Sequence, residues 1–280
     1  MNNYKKIAVI SDIHGNLEAL KAVLSDISRR NADKIICLGD IIAKGSHPSE
    51  CIKLVRENCD EVLVGNCDRY FTEEFVMSEL GKTERQRILW NKSMLSEEDV
   101  EYLRSLPFSY EFYLSGSLIR MFHATPLWDN VAVDMSHDFE TKYNMFVGNH
   151  RTITEDTADI VVYGHIHHCF LERFYNRTLI NAGSVGNSHE IIRNEKRDAD
   201  DIETTQAVYL ILEGDYGKRE PAPISWQFVR VPYDIEEELK NSKNNVEYKE
   251  YASELLYGKY RNMDKVYKNL KKVGVDTSNL

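Results

Sequence analysis

No pair of cysteines in this chain is spaced Cys-x-x-Cys, and the five present (Cys37, Cys51, Cys59, Cys67 and Cys169) are odd in number. A disulfide framework and a structural zinc knuckle are therefore not indicated. No apolar run approaches the roughly 20 residues that span a bilayer. The opening residues run into a short apolar stretch at 7–10 that is too brief for a secretory leader. The expectation is a cytoplasmic protein with no membrane partner. An excess of positive charge is missing as well, since 35 Lys and Arg face 45 Asp and Glu for a formal net charge of -10. The global basic field that holds nucleic acid is absent. Nucleic acid is thus disfavoured as a partner, with a local patch left open. Negative charge serves solubility and also fits carboxylates gathered around metals.

Several well-known motif signatures are lacking too. Gly81-Lys82-Thr83 looks like the end of a P-loop, but Val76 stands where the first glycine belongs. The G-x-G-x-x-G fingerprint is absent. No cysteine is followed by Arg six residues later, which argues against a cysteine-nucleophile phosphatase. There is no solenoid-period repeat and no low-complexity tract.

What the chain does have is one arrangement, repeated. A short apolar or β-branched run ends, and a metal-ligating residue follows at once. Residues 6–10 lead to Ser11-Asp12-Ile13-His14, 34–38 to Gly39-Asp40, and 61–64 to Gly65-Asn66. Residues 118–122 lead to His123, 159–163 to Gly164-His165-Ile166-His167, and 177–180 to Asn181-Ala182-Gly183-Ser184. Such runs read as buried strands. Helical spacing of Leu17, Leu20, Leu24 and Ile27 after the cap candidate Asn16, and a shorter helix at 49–58, lie between the first strands. Strand alternating with helix gives α/β class and a parallel sheet. Ligands in such sheets bind beyond the carboxyl ends of the strands, where every candidate falls.

Residues 69–110 read as a helical insert covering one side of the sheet. Thr83-x-x-Gln86 and Ser96-x-x-Asp99 resemble helix-starting boxes, Trp90, Leu95 and Leu103 supply apolar faces, and Pro107 closes the segment. Residues 205–213 and 224–231 read as a late antiparallel pair, and the chain beyond Pro232 as charged helix. The expected organisation is one domain over 1–232 and a C-terminal helical extension over 233–280. The full chain of 280 residues is compatible with a homo-oligomer.

Chemistry follows from the residue types. Asp12 and His14 sit two apart just past a strand, so a bend lets both face one ion. Asp40 ends the neighbouring strand, about 4.8 Å away. A carboxylate shared there would hold two ions about 3.5–4 Å apart, as in two-metal hydrolases. Asn66 offers a neutral oxygen, and His123, His165 and His167 add imidazoles. Carboxylate plus imidazole suits Mn, Fe, Ni or Zn. Gly148-Asn149-His150 mimics the third motif but comes out of order, and His47, His137 and His168 read as surface residues.

The ordered set D-x-H, G-D, G-N-x-D, H, G-H-x-H resembles the calcineurin-like metallophosphoesterase superfamily. Ser11-Asp12-Ile13-His14-Gly15-Asn16 and Asn181-Ala182-Gly183-Ser184 look like its bacterial and archaeal small phosphodiesterase branch. The likeness spans about residues 7–226. It implies a four-layer α-β-β-α sandwich. It implies two divalent metal ions, Mn²⁺ first and Fe, Ni or Zn next. Asp12, His14, Asp40 and His167 would hold one, and Asp40, Asn66, His123 and His165 the other. The activity implied is phosphodiester hydrolysis of a small-molecule phosphate ester by a metal-activated hydroxide, with Asp40, Asn66, Asp68 and His123 in the catalytic set. A dinucleotide polyphosphate hydrolase, a phosphomonoesterase acting on proteins or small molecules, and a non-catalytic scaffold of the same fold stay open. One departure stands out. Many relatives place His after Gly-Asn, whereas this chain reads Gly65-Asn66-Cys67-Asp68, and a thiol is a poor general acid. Cys67 and His189, the latter after the glycine-rich loop at 183–186, are the candidate substrate contacts.

Overall fold

The alternation in the central strands shows how the layers form. In β1 (Tyr4–Ile10), Ile7 and Val9 join one apolar core while Ala8 and Ile10 join another. Strand β9 (Ala207–Asp215) divides likewise, with Leu210 and Leu212 on one side and Tyr209 and Ile211 on the other. Both faces of these strands are covered, so the runs read as continuously apolar. Each fully buried Ile or Leu contributes about 1.5–3 kcal/mol.

The computed structural model describes residues 3–73, 81–188 and 206–257. The remaining elements are α1 (Leu17–Arg29), β2 (Lys34–Cys37), α2 (Pro48–Asn58), β3 (Glu61–Val62), α3 (Asn66–Arg69), α4 (Lys82–Lys92) and α5 (Glu97–Ser105). They continue with β4 (Ser109–Leu114), β5 (Ser117–Phe122), α6 (Phe139–Asn144), β6 (Ile160–Tyr163), β7 (Phe170–Phe174) and β8 (Arg177–Asn181). After β9 come β10 (Ile224–Val231), α7 (Ile235–Asn241) and α8 (Tyr248–Tyr257). Two sheets result, ordered β10-β9-β1-β2-β3 and β4-β5-β6-β8-β7.

The sheet is not wholly parallel, as the strand–helix alternation had suggested. β1, β2 and β3 are parallel, but β9 pairs antiparallel with β1. In the second sheet β5, β6 and β8 are parallel, with β4 and β7 antiparallel at the edges. The expected pair at 205–213 and 224–231 is β9–β10, joined antiparallel from Ala207–Val231 to Gly214–Ile224.

The architecture is the α-β-β-α sandwich. One core lies between the sheets, where Ile7, Leu38 and Leu63 meet Ile119, Val162 and Ile180. A second lies between the first sheet and α1 and α2, where Leu20, Val23 and Ile27 meet Ile52 and Val55. Asn16 caps α1, its Oδ1 accepting from Ala19 N at 3.1 Å. The outermost layer over the second sheet is thin, built on α6 and the chain that follows it. Arg120, fully buried on β5, secures that layer. Its guanidinium donates to Glu111 Oε1 (2.6 Å), Phe146 O (2.8 Å), Thr154 O (3.0 Å) and Asp156 O (2.7 Å), which satisfies the buried charge. In the segment after β3, α4 carries the buried Arg87, which pairs with Glu247 near the start of α8 at 3.1 Å. No helix among the described residues is long and apolar enough to cross a membrane.

Candidate metal centre

All the candidate ligands among the described residues collect at one end of the sandwich. Asp12 and His14 follow β1, Asp40 follows β2 and Asn66 opens α3. His123 follows β5, and His165 and His167 follow β6. The bends that bring them there have an unusual backbone. Asp12 (φ 53°), His14 (53°), Asp40 (54°), His165 (70°) and His167 (60°) all occupy the left-handed region. For side-chain-bearing residues this costs on the order of 1 kcal/mol each. The cost is met by hydrogen bonds locking neighbouring bends together. Asp12 N donates to Gly39 O (3.0 Å), His14 N to Asp40 O (2.9 Å) and Gly186 N to Asp12 O (3.0 Å). Tight packing explains the motif glycines too. A Cβ at Gly65 would collide with the backbone and carboxylate of Asp40, and one at Gly164 with the Ser11 hydroxyl.

Two donor sets emerge, Asp12–His14–His167 and Asp40–His123–His165, with the ligand atoms in each set within 4.8 Å of one another. Asp40 lies between them, its Oδ2 3.7 Å from His14 Nε2 and 3.4 Å from His123 Nε2. Asn66 Oδ1 lies 3.2 Å from His123 Nε2 and extends the second set. Cys67 Sγ groups with His14 and Asp40, so position 67 does face the centre.

The imidazoles are oriented from behind. His14 Nδ1 meets Ile42 O (3.3 Å), His123 Nδ1 meets Leu38 O (3.0 Å), and His167 Nδ1 meets Asn187 O (2.8 Å). A carbonyl can only accept, so each Nδ1 carries a proton and each Nε2 faces inward, where the neutral ring presents a lone pair and the charged ring a proton. His14 Nε2 and His167 Nε2 stand 3.0 Å apart, two nitrogens that in the neutral rings meet lone pair to lone pair. Asp12 Oδ1, buried 3.3 Å from His167 Nε2, has no hydrogen-bond partner among the described residues. Asn66 repeats the theme. Turned by 180°, its NH₂ would donate to His123 Nε2 (3.2 Å) and His165 Nδ1 (3.0 Å); as placed, its Oδ1 faces both ring nitrogens. Converging acceptors and an orphaned carboxylate oxygen fit divalent cations.

Titration tells the same story. Burial raises the Asp12 carboxyl, but His167 and His123 outweigh it and hold it well below the usual carboxylate range. For Asp40, burial is likewise overcome by His123, His14 and His165. Burial pulls His123 down, yet the Asp40 and Asp12 carboxylates lift it to about 10. Burial and His123 bring His165 down to about 4, and burial with Lys44 keeps His14 well below its ordinary value. Two buried carboxylates thus draw cationic charge into the centre. Burial and Asp40 push the Cys67 thiol well up, so it stays protonated.

Asp68 has a different place. Its carboxylate accepts from Asp40 N (2.7 Å), Ile41 N (2.9 Å) and Gly65 N (3.0 Å). Burial and Asp40 push it up to about 7. It buttresses the Asp40 bend, with its oxygens occupied by backbone. His189 lies outside the described residues. The lookalike Asn149 is taken up in a turn, bonding Arg151 N (2.8 Å) and Pro126 O (3.0 Å). His137 pairs with Asp134. The sequence reading missed Lys44, Asn187 and Asp129. Lys44 Nζ donates to Asn187 Oδ1 (2.6 Å), and Asp129, bonded to Arg69, brings its backbone oxygen beside the Asn66 amide. The proximity of Lys44 to the Gly39-Asp40 motif, and of Asn187 to the loop at 183–186, was the available signal.

Comparison with known proteins agrees with this geometry. The calcineurin-like phosphoesterase superfamily domain matches residues 6–197. An uncharacterised protein of Methanocaldococcus jannaschii is 34% identical over 245 residues, 85% of this chain and 92% of its own. A metallophosphoesterase from Sphaerobacter thermophilus superposes with a TM-score of 0.67 at 24% identity, over 91% of this chain and 99% of that one. A hypothetical protein from Pyrococcus horikoshii gives 0.70 at 16% identity, over 91% and 98%.

Proposed function

Because the chain belongs to the calcineurin-like phosphoesterase superfamily, we propose that it is a cytoplasmic phosphodiesterase that hydrolyses small phosphate esters with two divalent metal ions, Mn²⁺ foremost. The observation that carries the proposal is the pair of donor sets joined by Asp40. Asp12, His14, Asp40 and His167 would hold one ion, and Asp40, Asn66, His123 and His165 the other. When bound, such ions supply a lowered water pKa and charge neutralisation at the phosphate oxygens.

The chain's own residues do the rest. The backbone carbonyls behind His14, His123 and His167 fix the tautomers, so three Nε2 atoms are aimed before any ligand arrives. Asp68 holds Asp40 where both sets share it. Cys67 bears on the choice of substrate. Its thiol stays protonated and its high pKa makes it a feeble proton donor, so the protein side offers little help to a leaving group that must depart protonated. Diesters with acidic leaving groups need no such help, which favours them over alkyl monoesters.

The test is a panel of aryl and alkyl mono- and diesters offered to purified protein with Mn²⁺, with and without chelator. Chelator-sensitive turnover, fastest on aryl diesters, is expected. Stoichiometric metal without turnover of any ester would overturn it in favour of a scaffold.

A further inference from the structure

A carboxylate from beyond the family match reaches the back of this centre. Glu254, on α8, is 1% exposed. Its Oε2 accepts from Asn187 Nδ2 at 3.0 Å and lies 3.7 Å from Lys44 Nζ. Asn187 is used on every side. Its Oδ1 accepts from Lys44 Nζ (2.6 Å) and lies 3.1 Å from His167 Nδ1, its backbone oxygen lies 2.8 Å from that same nitrogen, and its N–H donates to Ser184 Oγ (2.9 Å). The C-terminal segment holds Lys44 from another direction, with Asn245 Nδ2 donating to Lys44 O at 2.8 Å. A continuous relay therefore runs from α8 through Asn187 to the imidazole of His167.

We propose that Glu254 is a positioning residue of the metal centre, setting the Asn187 amide so that His167 and Lys44 are held for the Asp12–His14–His167 site. The inference rests on the reading that this set binds a metal ion. Its logic is one of donors and acceptors. An amide can present either end, and Lys44 Nζ and the His167 Nδ1–H are both donors, so Asn187 must turn its oxygen toward them. A carboxylate accepts only, so Glu254 admits only the NH₂ end on its side and thereby fixes the oxygen on the other. It also pairs with the buried Lys44 ammonium at 3.7 Å, whose positive charge would otherwise repel a cation held nearby. Among the described residues the other donor set is held differently, with the His123 imidazole against Leu38 O. Loss of Glu254 is therefore selective.

Metal-free protein is titrated with Mn²⁺ by calorimetry, with His14→Gln assigning one step and His123→Gln the other. Glu254→Ala is expected to weaken the His14-dependent step about 10–100-fold, the usual effect of removing a partner that orients a ligand, and to leave the His123-dependent step unchanged. Glu254→Gln keeps an acceptor for Asn187 and should lose less. Wild-type affinity at both steps in Glu254→Ala overturns the proposal, as does equal weakening of both. If that variant fails to fold by circular dichroism, Asn187→Ala interrupts the same relay, and unchanged or unselective binding there overturns it. If wild-type protein binds no Mn²⁺ at all, the failure belongs to the underlying metal-centre reading.

Discussion

Removing the Asp68 carboxylate should cost the protein far more stability than an ordinary surface change. In Asp68→Ala the backbone N–H groups of Asp40, Ile41 and Gly65, now bonded at 2.7, 2.9 and 3.0 Å, lose their acceptor in a buried region. Leaving a buried donor unpaired costs about 1–3 kcal/mol, so three cost roughly 3–9. Relief of repulsion between Asp68 and the Asp40 carboxylate offsets part of this, which places the net near the lower end, about 3–4 kcal/mol. At roughly 2–4 °C per kcal/mol for a large domain, Tm should fall by about 10 °C. Asp68→Asn keeps one acceptor oxygen and turns an NH₂ toward a donor, so its loss should be about half as large. Thermal melts followed at 222 nm measure both. Turnover should drop in parallel, because the left-handed bend at Asp40 loses its anchor. An Asp68→Ala protein melting within about 3 °C of wild type would refute the reasoning and show that water or a shifted backbone replaces the carboxylate.

Asp40→Asn should reduce metal occupancy to well below one ion per chain, whereas His14→Gln should leave about one, both read by elemental analysis after dialysis; full occupancy in Asp40→Asn would disprove sharing. Cys67→His should raise kcat/KM for alkyl esters by about 10-fold or more, part of the roughly 10²–10⁴-fold that general acid catalysis supplies, and aryl esters far less. Equal effects on both ester types at unchanged metal content would show that position 67 does not govern leaving-group protonation. Gly65→Ala should lower metal affinity at both sites, since the added Cβ collides with the Asp40 backbone and carboxylate; wild-type affinity would mean that α3 shifts without disturbing Asp40.

The candidate ligand set was legible because its members stand at strand ends, where a glycine or a short polar residue follows an apolar run. The close approach of Gly65 to Asp40 and of Gly164 to Ser11 shows why the motif glycines are there. Strands β4 and β7 were not read. In β4 the segment Ser-Tyr-Glu-Phe-Tyr-Leu follows directly on the helical insert, and its aromatics, Phe112 buried and Tyr110 and Tyr113 half-buried, fit helix or strand equally over six residues. In β7 the short run Phe-Leu-Glu-Arg-Phe is an edge strand carrying charge, which blurs its pattern. Lys44, Asn187 and Glu254 escaped for another reason. Each looks like an ordinary surface polar residue, and only long-range folding, across 143 residues for Lys44 and Asn187, reveals them as partners.

The division of donors between the two sheets has a thermodynamic corollary. Asp12, His14, Asp40 and Asn66 come from the first sheet, and His123, His165 and His167 from the second. An ion held by Asp12, His14 and His167 would rivet one half of the sandwich to the other. The unfolded chain, with these ligands scattered from residue 12 to residue 167, could not offer it the same grip. Ligand that binds only the native state adds RT ln(1 + [L]/Kd), about 4 kcal/mol at a thousand-fold excess over Kd. The lifetime of the chain against heat and proteases would then follow the metal supply around it, so starvation for metal would thin the protein's numbers as well as silence it.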